Sequence, residues 1–303
     1  MPELFIIPQS TNSVIAKVVN GEISIVGSVD VPYKSKNIFT ENNLIVSLCY
    51  DMKELRIFDI QGKLIFSMGS GSFSAIAGKK NTAYLGGIGY SLGSDQNCEM
   101  FSIIDLENMI FEQKEIDLPI KVVDGKSIDD ILIIENKLIL VDNIIYPKYL
   151  IEYDISVPNS PEHFKTIKLP NHGTYEHIYK GDINKDWLVL FSTTVGEMGR
   201  SHIISVKGKT DGHISTYRPH KVNIYLAHNY EKYSYMDICL IDNKLFILRD
   251  DGLGFIDLNN KIDNSEFKEI KTNIIAKSLI KTSNNDLIAI NENSYELIKL
   301  SEI

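Results

Sequence analysis

The sequence is poor in the residues that announce chemistry. Its three cysteines, Cys49, Cys98 and Cys239, are odd in number and far apart, so buried free thiols are expected in place of a disulfide framework or a CxxC zinc site. No apolar run approaches the roughly 18 residues that a bilayer span requires, which argues against a membrane helix. The opening Met1-Pro2-Glu3-Leu4 lacks the basic start and small-residue cleavage site of a secretory signal. Together these absences predict a soluble, cytoplasmic chain. Convincing helix-length amphipathic patterns are missing as well, which removes most α/β architectures. Basic residues are outnumbered: 31 lysines and arginines against 40 acidic residues, a net charge of −9. That balance disfavours a direct nucleic-acid binder, which needs cations to neutralise phosphates, and favours basic partners.

What the sequence does contain is a repeat. A short strand ending in a polar and then an apolar residue, followed by a turn, recurs seven times. The copies are Ile15–Val18, Ile57–Ile60, Ile103–Leu106, Glu152–Ile155, Ile203–Val206, Phe255–Leu258 and Leu297–Leu300. Their third residues, at 17, 59, 105, 154, 205, 257 and 299, lie 42 to 52 residues apart. Ahead of most copies an Asn or Asp turn opens into an apolar run, as at Asn43–Val46, Asn136–Leu140, Asn243–Ile247 and Asn285–Ile290; turn residues followed by such runs are strand signals. One unit then reads as four strands: an inner one over Ser127 to Ile134, a second over Leu138 to Val141, a third over Tyr149 to Ile155 and an outer one over Phe164 to Leu169. Units of this length repeated around an axis predict an all-β fold. Residues 1–303 are read as a single β-propeller of four-stranded antiparallel sheets, seven blades by the repeat count with six as the alternative. One terminal segment is expected to complete a sheet begun at the other, so that the ring closes.

This layout resembles β-propeller repeat proteins over the whole chain, without the signature of a standard subfamily. The single Trp187 follows Asp186 at the start of a second strand, which is not the Trp-Asp of WD repeats, and only one Gly-Gly pair of the kelch kind occurs, Gly86-Gly87. Asp59, Asp105, Asp154 and Asp257 recur at third-strand ends. They are read as turn residues that hydrogen-bond nearby backbone amides, and not as cation ligands of the kind lactonase propellers gather at the axis. All seven histidines fall between His163 and His228, scattered over two units, so no metal site is predicted. The Gly86–Gly93 stretch lacks the following helix of a dinucleotide loop and is read as a long hairpin. No GxSxG motif and no cofactor site are found.

Function is therefore sought where the repeat is interrupted. Three hairpins are read as long, Gly86 to Cys98, Asp142 to Lys148 and Ser192 to Arg200, and so is the connection Arg218 to Tyr235; long loops in compact domains are usually functional. Tyr90, Asp95, Asp142, Tyr146, Glu197, Arg200, Tyr225, Tyr230 and Tyr233 are the candidate partner contacts, tyrosines supplying area and acidic groups pairing with cations. With its Ile, Asn and Lys-rich composition, its lack of a catalytic constellation and its divergence from the common repeat families, the chain resembles propeller-type immunity proteins of bacterial contact-dependent inhibition, paired with EndoU-like nuclease toxins. That resemblance implies a non-catalytic protein that binds and neutralises a basic toxin domain. The alternatives are a metal-dependent hydrolase of lactonase type and a peptide-binding scaffold.

Overall fold

In the computed structural model of the chain, residues 4–9, 12–32, 34–70, 72–90, 97–115, 128–142, 149–168, 176–196, 199–208, 223–224, 235–259, 267–282, 284–292 and 294–302 are described. They form seven antiparallel sheets in chain order. The first holds β1 (Leu4–Ile7), β2 (Ser13–Val19) and β3 (Glu22–Val29); the second β4 (Ser35–Phe39), β5 (Leu44–Cys49), β6 (Glu54–Asp59) and β7 (Leu64–Gly69). The third holds β8 (Ser72–Lys79), β9 (Thr82–Tyr90), β10 (Asn97–Asp105) and β11 (Ile110–Glu115); the fourth β12 (Ile128–Ile134), β13 (Lys137–Asp142), β14 (Tyr149–Asp154) and β15 (Glu162–Lys168). The fifth holds β16 (Glu176–Ile183), β17 (Trp187–Gly196), β18 (Gly199–Gly208) and β19 (Asn223–Ile224); the sixth β20 (Tyr235–Ile241), β21 (Lys244–Arg249), β22 (Gly252–Asp257) and β23 (Lys268–Ile270). The last holds β24 (Ser278–Lys281), β25 (Leu287–Ile290) and β26 (Tyr295–Ile298).

Seven hydrophobic clusters join these sheets, one between each pair of neighbours. Val46, Leu48, Leu55 and Ile57 of the second sheet meet Ile76, Ala83, Leu85 and Ile104 of the third. The same arrangement links third to fourth, fourth to fifth, fifth to sixth and sixth to seventh. The ring closes because β1 obeys the strand period of two. Ile6 faces the second sheet, with Ile45, Cys49 and Phe58, whereas Phe5 and Ile7 face the last, with Ile288 and Ile290. Each side chain so buried contributes about 1.5–3 kcal/mol. The second strands are apolar on both faces because both faces lie against another sheet.

The third-strand copies of the repeat lie where the sequence places them, with one instructive exception. In the five four-stranded sheets and in the last, the copy falls in or at the end of the third strand counted from the axis. In the first sheet Ile15–Val18 falls in β2, which has only β1 on its inner side. The two terminal sheets also stay separate, each with three strands. The expected completion of one terminal sheet by the other is thus replaced by side-chain packing between them.

Two stretches read as long hairpins are largely strand. Pairing runs to Asn97 opposite Tyr90 and to Gly199 opposite Gly196, so the ladder continues through Gly86–Gly89 and leaves only residues 91–96 and 197–198 between strands. Gly86 is small for a packing reason: a Cβ there would lie 2.5 Å from Ile128 Cγ2 of the next sheet. The turn aspartates behave as read. Asp59 Oδ1 accepts the Gln61 and Lys63 amides, and Asp105 Oδ1 those of Glu107 and Asn108. Asp154 accepts the Ser156 amide and Asp257 the Asn259 amide. The Asn108 side-chain amide, with these N–H groups, holds the Asp105 carboxyl below its usual range. Cys49 and Cys239 are buried free thiols.

Replacing Gly86 by alanine is expected to destabilise the fold by about 1–3 kcal/mol through overpacking against Ile128. Gly69→Ala, where an added Cβ meets nothing within 4 Å, is expected to stay within about 0.5 kcal/mol. Urea-denaturation midpoints of the two variants check the difference.

Candidate binding site in the central channel

The strands nearest the axis carry a recurring irregularity. In β8, β12, β16 and β20 the ladder skips one residue between Phe73 and Ala75, Ile128 and Asp130, Ile178 and Lys180, and Tyr235 and Asp237. A bulge of this kind re-aims the side chains beside it. Two of those next in line are aspartates that reach the neighbouring sheet. Asp130 Oδ2 accepts the Gly181 amide at 2.6 Å while Oδ1 accepts its own strand's Ile131 amide at 3.0 Å. Asp237 Oδ2 accepts the Leu279 amide at 2.7 Å and Oδ1 the Ile238 amide at 2.8 Å. Asp182, one ladder step further along, does the same with Leu240 at 2.7 Å and Ile183 at 2.8 Å. Ser74 Oγ donates to the Ile128 carbonyl. Inner strands β8, β12, β16, β20 and β24 are thereby stitched in sequence, each buried backbone group finding the partner that burial demands.

Two lysines complete the network. Lys180 Nζ donates to Asp237 Oδ1 at 2.8 Å, and Lys36 Nζ, from β4, reaches Asp130 Oδ1 at 2.8 Å across the intervening third sheet. Burial works against charge on both ammoniums, but the facing Asp237 and Asp130 outweigh it and raise both pKa values above the ordinary lysine range. Burial pushes the Asp182 carboxyl up, against the opposing pull of the Leu240 amide. Burial, helped by the Asp182 charge, pushes the Cys239 thiol up to about 12. That thiol is inert at neutral pH.

The channel opens into a cavity of about 1100 Å³ bounded by β1, β4 and β24, with Lys180 and Asp237 on the facing wall. Its size matches the upper range of ligand sites, about 300–1,000 Å³. Among its lining residues Lys36, Lys80, Lys180, Lys277 and Lys281 stand against Glu41 and Asp237. An acidic protein therefore encloses a channel with an excess of lysine. Among the described residues no three His, Cys, Asp or Glu side chains are grouped to hold a metal ion, and Asp130, Asp182 and Asp237 are each taken up by amides or lysines.

The candidate contacts from the sequence lie elsewhere. Tyr90 ends β9 and Arg200 lies near the start of β18, opposite Val195, so the backbone puts both on the rim where second and third strands turn. Asp142 ends β13 on that rim, but it is fully buried and its Oδ2 accepts the Tyr149 amide at 3.1 Å. It closes its hairpin and is withdrawn from the contact set. Asp95, Tyr146, Glu197, Tyr225, Tyr230 and Tyr233 lie outside the described residues. The channel residues escaped the sequence reading, although Asp-Ile recurs at 130–131, 182–183 and 237–238.

No protein-family model matches the chain, and no curated protein matches it in sequence. Solved structures do. The WD40 propeller domain of Doa1 matches with a TM-score of 0.56 at 11% identity, over 97% of this chain and 88% of that one. A streptogramin B lyase matches at 0.52 and 12% identity, over 98% and 95%. The extracellular domain of a hybrid two-component system of B. thetaiotaomicron matches at 0.54 and 11% identity over 98% of this chain, which spans only 38% of that longer one. Identities this low establish a shared β-propeller fold and nothing about activity.

Removing the Asp237 carboxylate leaves Lys180 and the Leu279 amide without their partner, and Asp237→Ala is expected to cost about 3 kcal/mol. Because the folded-state pKa of each lysine is raised, the stability from Lys36 and Lys180 is fully present below their unfolded value of 10.5 and is lost as pH rises through the folded values. Wild-type stability should fall along this alkaline limb, and Lys180→Met should flatten it; denaturant titrations from pH 8 upward check both.

Proposed function

We propose that this propeller is a non-catalytic protein-binding module. The observation that supports it is the 1100 Å³ cavity at the ring's centre, whose wall aspartates are already engaged by backbone amides and lysines. Such a wall holds its shape and, among the described residues, offers no free carboxylate pair for acid and base work, which favours binding over a metal-dependent hydrolase of lactonase type. The propellers of the same fold include a WD40 domain, that of Doa1.

In its narrower form, the module is a cytoplasmic immunity protein that binds and neutralises a basic nuclease toxin. The net charge of −9 supports this form by drawing a cationic partner to the surface, with the rim of Tyr90 and Arg200 as the docking face. Co-expression with the nuclease domain encoded beside its gene tests it. The expected result is restored growth and a complex of nanomolar affinity or better, about −12 kcal/mol, whose association slows as salt is raised. Unrelieved growth arrest with no complex would remove the toxin from the proposal. Lactone hydrolysis that depends on an added divalent cation and survives purification would remove the binding reading itself.

A further inference from the structure

The 1100 Å³ cavity lies where the first sheet is one strand short on its inner side. β2 carries the third-strand copy Ile15–Val18, β1 has the Leu-Phe-Ile run of second strand β21 (Leu4-Phe5-Ile6 and Leu245-Phe246-Ile247), and β3 is exposed as outer strand β7 is. β1 is also buried over Phe5–Ile7 in the manner of second strands β5, β13 and β25. The first sheet therefore holds second, third and outer strands, and among the described residues nothing pairs with the edge of β1 away from β2. The other inner edges face the open axis. The edge of β1 is set one strand back, between the walls made by β4 and β24, at the sector where the aspartate stitches stop. An unpaired strand edge is a template for another strand.

From this we infer that the slot is a strand-acceptor site, which takes an extended acidic segment of a partner protein as the missing inner strand. It deepens the binding-module reading and rests on it. Backbone hydrogen bonds to β1 would supply affinity, and side chains alternating toward Phe39 of β4 and Ile280 of β24, which face the first sheet, would supply fit, as in strand-addition recognition. Acidity follows from the lining: of its five lysines, Lys36, Lys180 and Lys277 are held by Asp130, Asp237 and Glu292, and Lys80 and Lys281 have no carboxylate bonded to them among the described residues. Lys80 is exposed and Lys281, among the described residues, donates to the Leu240 carbonyl at 3.3 Å, so these two are placed to meet the carboxylates of the incoming strand in a cleft that concentrates their field.

The probe is a synthetic peptide copying residues 128–135 of this chain, an inner-strand sequence with carboxylates at Asp129, Asp130 and Glu135; its counterpart carries lysine at those three places. Both are titrated against the full chain by fluorescence anisotropy, and amide hydrogen exchange is followed over residues 4–7. The expected result is at least tenfold tighter binding of the acidic peptide than of its counterpart. Binding should bring new protection of β1 amides, and Lys80→Glu with Lys281→Glu should reverse the preference. Failure of the acidic peptide to bind at about 1 mM overturns the site, as does full protection of every β1 amide in the free protein, which would mean that this chain or a second copy already fills the edge. Binding that protects another part of the ring overturns the site as well, yet leaves the binding-module reading in place, because that reading is tested separately by the partner's own complex.

Discussion

Every sheet in this ring must bury both of its faces. That one constraint dictates the composition of the second strands, the evenness of the repeat and the closure of the chain on itself. A strand offers alternate side chains to opposite faces, so a run such as Leu44–Cys49 serves two cores at once, Ile45 to the first sheet and Val46 and Leu48 to the third. No solvent face remains to tolerate polar residues, and polarity is pushed to the outer strands, the turns and the axis. The exposed Leu64, Ile65 and Phe66 of β7 show the reverse case, apolar residues left where burial ends.

At the axis the problem is different. Inner strands converge, and the backbone edges of neighbours face one another beside the cavity. The aspartates of β12, β16 and β20 answer this by accepting one amide from their own strand and one from the next. An aspartate in this position carries a charge into a confined space, and Lys36 and Lys180 offset two of the three. Two of the five lysines that line the channel are accounted for by that local requirement.

Much of the fold was legible in the sequence because its strongest signals are local. A third strand and its turn occupy a handful of residues, and an aspartate that caps its own turn writes its partners within three or four positions, as Asp105 does with Glu107 and Asn108. The channel was not legible for the opposite reason. Asp130 finds Gly181 51 positions away and Lys36 94 away, and its Asp-Ile dipeptide is the same one found at the turns of Asp59 and Asp154. Hairpin lengths were overestimated where small residues continue a ladder, since Gly86–Gly89 looks like loop until Ile128 and Ile131 of the next sheet are seen to need the space. Asp142 misled in a similar way: an acidic residue at a hairpin mouth reads as surface, but its carboxylate is turned inward to the Tyr149 amide.

The contact between Lys36 and Asp130 has a mechanical meaning of its own. In repeat architectures each unit touches only its neighbours, and stability is close to a sum of adjacent couplings, so fraying can travel from an end one unit at a time. This ion pair joins the second sheet to the fourth and passes over the third. It is a chord across the circle, and a chord changes the counting. Peeling the second sheet away now strains the fourth, whose aspartate also holds the fifth through Gly181. Four consecutive sheets are thereby drawn into one cooperative block, leaving the sector around the first and last sheets as the part of the circle able to loosen by itself.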